Sequence, residues 1–88
     1  MHTASAKLTF YIPYATSLKD KRKVRRSLID KTKQKFNVSI AEVDTWDIHQ
    51  TLTIGIALVS SNATHAENSL DEIIRYLEDT SDAELFFH

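Results

Sequence analysis

Thr51-Leu52-Thr53-Ile54-Gly55-Ile56-Ala57-Leu58-Val59 puts Leu52, Ile54, Ile56 and Leu58 on one side of an extended chain and Thr53, Gly55, Ala57 and Val59 on the other. Successive side chains of a strand point to opposite faces, so the stretch predicts a strand with one large apolar face and one small, smooth face. Upstream, the polar turn Asp44-Thr45-Trp46-Asp47 separates it from Val38, Ile40 and the Ala41/Val43 pair, which predict a strand before it. Downstream, Thr64-His65-Ala66-Glu67 has capping-box spacing, and Ala66, Leu70, Ile73, Ile74 and Leu77 recur at helical period. A strand pair is thus followed by an amphipathic helix.

Further out, Leu8, Phe10 and Ile12 alternate with Lys7, Thr9 and Tyr11, predicting a strand over Lys7 to Ile12 that Pro13 ends. Ser17-Leu18-Lys19-Asp20 is a second capping-box signature, and Leu18, Val24, Leu28, Ile29 and Phe36 fall on one arc of a helix of about five turns. Ala83 to Phe87 reads as a last strand. The predicted order is βαββαβ, an α+β chain of the ferredoxin-like type. Right-handed crossovers would place two helices on one face of a four-stranded antiparallel sheet. Residues 1–88 are expected to form one such domain.

Composition narrows the chemistry. The chain has no cysteine, one glycine and one proline, which closes thiol-based zinc sites and makes a glycine-rich phosphate loop implausible. No apolar run reaches the roughly 18 residues of a membrane span. Met1 to Ala6 has no hydrophobic signal core either, so the expectation is a cytoplasmic protein with no membrane contact. His49 with Asp44 and Asp47 could be imagined around a metal, but acids in turns have local hydrogen-bonding reasons to be there, and no metal or other cofactor is expected. No motif assembles a nucleophile, a base and an orienting group, so no enzymatic activity and no catalytic residue are expected.

The net charge of −1 conceals a division. Ser17 to Phe36 holds nine basic and two acidic residues, a net of +7, and the rest of the chain carries −8. On a helical wheel Lys19, Arg22, Lys23, Arg26 and Lys33 form one stripe opposite the apolar arc, while Lys21 and Arg25 project near that arc. Cations crowd the first turns, where the helix dipole favours anions, and like charges three and four apart repel. Such a stripe suits a phosphate backbone. It could instead meet the acidic second helix, which carries Glu67, Asp71, Glu72, Glu78 and Asp79. Arg25 is expected either to lay its stem along the core or to pair with an acid of that helix.

Ser17-Leu18-Lys19-Asp20-Lys21-Arg22, then Phe36-Asn37-Val38-Ser39-Ile40-Ala41-Glu42-Val43-Asp44, then Gly55-Ile56-Ala57, resemble the YlxP-like family of small bacterial proteins over roughly residues 8 to 77. The resemblance implies the ferredoxin-like fold and a gene sited among those for transcription elongation, translation initiation and ribosome maturation. It also implies a role as a ribosome-binding factor in small-subunit maturation. It carries over Ser17, Leu18, Lys19, Lys21 and Arg22 from the first motif and Glu42 and Asp44 from the second. The chain departs from the family pattern at Arg25, where an aliphatic residue is usual, and at His49 and Thr51, which replace an aromatic and a basic residue.

The expectation is therefore a non-enzymatic factor bound to the small ribosomal subunit or its rRNA through Lys19, Lys21, Arg22, Lys23, Arg26 and Lys33. The alternative is a protein-interaction module. In it the basic helix meets an acidic partner, and the sheet face away from the helices forms a homodimer through Tyr11, Val43, Thr53 and Ala57. RNA-recognition domains share the element order but stack bases on aromatics of strands one and three, and strand three has none. Trp46, in the turn before that strand, either covers the sheet end or contacts a partner.

Overall fold

The computed structural model describes residues 1–80 and 84–87, with side chains through Asp79. The elements are β1 (His2–Tyr11), α1 (Leu18–Lys35), β2 (Ser39–Asp44), β3 (Thr51–Ser60), α2 (Ala63–Thr80) and a short β4 (Glu84–Phe87). The sheet order is β2-β3-β1-β4, with every described pair antiparallel. No helix among the described residues is long and apolar enough to cross a membrane.

The expectation of a regular four-stranded ferredoxin-like sheet is corrected by the pairing. The body of the fold is a β-α-β-β-α unit whose three antiparallel strands run β1-β3-β2. The segment Glu84–Phe87 adds only four residues at the edge. It meets β1 at Thr9, Phe10 and Tyr11, and its register slips between Thr9 and Phe10. β1, by contrast, pairs with β3 over its whole length, from His2↔Ser60 to Tyr11↔Thr51. That length corrects a second expectation, since β1 begins five residues before Lys7 and stops one before Ile12. His2 to Ala6 lack large apolar alternation, so only the backbone ladder to β3 reveals them as strand.

Leu8 and Phe10 of β1, Leu52, Ile54 and Ile56 of β3 and Ile40 of β2 share one sheet face and pack with Leu28 of α1 and with Ile73, Ile74 and Leu77 of α2. Both helices thus cover the same face. Burying each such side chain is worth about 1.5–3 kcal/mol. The helix ends are fixed by local hydrogen bonds. The amide of Asp20 donates to Ser17 Oγ at 3.2 Å, and the Asp20 carboxylate accepts from the Thr16 hydroxyl at 2.8 Å and the Thr16 amide at 3.1 Å. The reciprocal bond therefore reaches one residue further upstream than the expected box. At α2 the cap is Asn62 rather than Thr64, its Oδ1 accepting from the His65 amide at 3.0 Å. α1 stops before Phe36, whose ring meets Tyr76 edge-on at 5.4 Å and ties the two helices together.

The open face of the sheet is shaped by one irregularity. A bulge between Glu42 and Asp44 tips Val43 across Gly55, so a Cβ at Gly55 would sit 2.7 Å from Val43 Cγ1. Glycine stands there because the neighbouring side chain already fills the space.

Candidate nucleic-acid interface

α1 presents two populations of cations, divided by burial. Lys19, Arg22, Lys23, Arg26 and Lys33 are all exposed, and none of them is ion-paired among the described residues. In particular, no described acid of α2 takes up the stripe, so attraction between neighbouring helices does not account for it. Five cations on one helix form a positive face that no ion pair among the described residues neutralises. The Thr16 hydroxyl and amide, helped by the charge of Lys23, hold the Asp20 carboxyl below the usual range.

Lys21 corrects the expected RNA-binding set, being only 2% exposed. Its ammonium lies 2.7 Å from Glu42 Oε2 as an ion pair outside hydrogen-bond geometry, and it donates to the carbonyl oxygens of Thr45 and of Ile48, the latter at 2.9 Å. Arg25 Nη1 donates to the other Glu42 oxygen at 3.0 Å. The partner of Arg25 is thus an acid of β2, not of α2. Glu42 occupies an inward position on an edge strand, two residues after the core residue Ile40. An acid there demands cations from the helix above it, and the two on the apolar arc supply them.

The network fixes the β2–β3 loop. Thr45 holds a left-handed backbone with φ 58°, a conformation that costs a non-glycine residue about 1–3 kcal/mol. Its amide donates to Asp44 Oδ1 at 2.8 Å, and its hydroxyl lies 2.7 Å from the Asp44 carbonyl and 3.1 Å from the Thr53 hydroxyl. Its carbonyl accepts from the Ile48 amide at 3.1 Å as well as from Lys21, closing a turn with Trp46 and Asp47 at its centre. The Ile12 amide donates to the Gln50 carbonyl at 2.8 Å, which joins this loop to the one between β1 and α1. At this end of the molecule Trp46 is 57%, Ile48 51% and Tyr14 49% exposed.

The remaining predicted residues separate by role. Ser17 caps α1, and Leu18 is half-buried at its first position. Asp44 is exposed, 3.5 Å from Lys7, and its carboxyl is held low by the Thr45 amide and then by Lys7. Tyr11, Val43 and Ala57 are exposed on the open face, but Thr53 is 2% exposed beneath the Thr9 and Thr45 hydroxyls and offers no dimer surface, correcting that expectation. Among the described residues, no three of histidine, aspartate and glutamate come together as a metal would require.

A family model described as "Protein of unknown function (DUF503)" matches residues 3–87. The chain is also 38% identical over 64 residues to "Uncharacterized protein YlxP" of Bacillus subtilis (strain 168), an alignment covering 73% of this chain and 70% of that protein.

Proposed function

The chain belongs to the YlxP-like family described as DUF503, and from that premise we propose that it is a non-enzymatic, cytoplasmic factor that binds the small ribosomal subunit or its rRNA through the outer face of α1. The observation that carries this reading is the exposed row Lys19, Arg22, Lys23, Arg26 and Lys33, none of them ion-paired among the described residues. Cations held in line on a helix displace counterions condensed on a phosphate backbone, which gives strong, salt-sensitive binding without reading bases. Lys21 contributes indirectly by holding the loop beside the helix. The gene setting implied by the family resemblance supplies the ribosomal identity of the partner.

Co-sedimentation with purified small subunits tests the proposal. The protein is expected to travel with them at low salt, and replacing Lys19, Arg22, Lys23 and Arg26 by glutamine should release it while leaving circular dichroism unchanged. Undiminished co-sedimentation of the folded variant would remove the stripe from the interface. A second reading, homodimerisation through the open sheet face, is favoured by the exposure of Val43 on β2 and Val59 on β3. Light scattering at several protein concentrations should then give a mass that rises towards twice the monomer's.

A further inference from the structure

We propose that Trp46 is a stacking platform for an unpaired base, so that the RNA gripped by α1 is single-stranded or looped where the protein meets it. The inference rests on the phosphate-binding reading above and adds to it the kind of RNA selected. Trp46 leaves more than half its surface in water although it sits on a backbone that the rest of the fold holds still. Lys21 takes the carbonyls on both sides of the Trp46-Asp47 pair, Thr45 is locked in its left-handed conformation, and Gln50 anchors the loop to the chain before α1. An aromatic side chain on a fixed turn loses little entropy when a flat ligand settles on it.

Charge decides which flat ligand. Lys21 binds the loop from the first turns of α1, so the loop and the start of the helix share one end of the molecule, with Lys19, Arg22 and Lys23 exposed on the outer side of that helix start. Asp47, next to Trp46 and exposed, repels phosphate from the tip of the turn. The arrangement fits a strand whose backbone follows the helix while one base turns onto the indole, because stacking on aromatics tolerates any base and a positive groove tracks the phosphates. A duplex keeps its bases inside and can offer only its backbone. An acidic protein would also be drawn to the helix, and an exposed tryptophan can anchor a protein partner, so the test separates the two.

Trp46 is the only tryptophan, so its emission reports this position alone. The protein is titrated at low salt with oligouridylate of about a dozen nucleotides, within the span of known single-strand sites, and with an RNA duplex of the same length. The single strand should quench Trp46 and the duplex should not. Trp46→Ala should weaken single-strand binding roughly five- to 150-fold by anisotropy, leave duplex binding and circular dichroism unchanged, and be largely rescued by Trp46→Phe. If single-strand binding is lost on replacing Lys19, Arg22, Lys23 and Arg26 but is equal in Trp46→Ala, stacking is overturned and the phosphate reading stands. If neither RNA binds, both fall. Emission that responds to dilution of the protein alone, and not to RNA, would overturn the inference in favour of a contact between copies of the chain.

Discussion

Lys21 and Arg22 are neighbours in sequence with opposite fates. One is shut inside with Glu42 and two loop carbonyls; the other is in solvent without an ion pair among the described residues. Removing one member of a buried ion pair strands its partner, so Lys21→Met should cost about 3–5 kcal/mol in urea denaturation, with Arg25 moderating the loss through Glu42. Arg22→Gln should fall within about 0.5 kcal/mol of the parent. Gly55→Ala should destabilise by about 1–3 kcal/mol through its clash with Val43, and Val43→Ala should recover most of that. A double-mutant cycle showing no coupling would mean that the bulge does not set the spacing. The wheel puts Lys21 near the apolar arc, and Glu42 shares the inward parity of Ile40, so their pairing was legible in the sequence. Assigning Lys21 to the RNA set overlooked it. The left-handed Thr45 was not legible, because no glycine or asparagine marks the position and tertiary contacts impose it.

At the scale of the element, α1 carries a trade between stability and charge. Its outward cations repel one another and oppose the dipole at the helix start, so replacing Lys19, Arg22, Lys23 and Arg26 with glutamine should raise stability by a few tenths of a kcal/mol while abolishing RNA binding. A variant that loses both would instead assign the stripe to the fold. Asp20 gives the helix start its pH dependence. The Thr16 hydroxyl and amide hold its carboxyl below the ordinary range, so the folded chain binds that proton more weakly than the unfolded one. The stabilisation is present above the ordinary carboxylate value of about 3.9 and is lost as pH falls through the lower folded value. Asp20→Asn should flatten that part of the acid limb in denaturation at stepped pH, and Thr16→Ala should do so partly. Strand and helix identities followed from periodicity. The end that was missed, β1 before Lys7, depends on a backbone ladder that leaves no periodic trace.

Across the whole molecule, Lys21 and Arg25 of α1 meet Glu42 of the acidic remainder, whereas the outer stripe of the same helix has no ion pair with that remainder among the described residues. The sheet is β1-β3-β2 with a short irregular edge, and the even-numbered apolar residues of three strands made its core readable in advance. The fourth strand was overestimated because residue pattern alone cannot give the extent or regularity of an edge pairing. Phosphate binding by the outer stripe of α1, as proposed, can be read from the salt dependence of affinity for single-stranded small-subunit rRNA fragments. Four or five neutralised phosphates predict a slope of log K on log salt of roughly −3, reduced by about 0.7 when Arg22 alone becomes glutamine. A slope near zero, or one that the Arg22→Gln variant leaves unchanged, would contradict it.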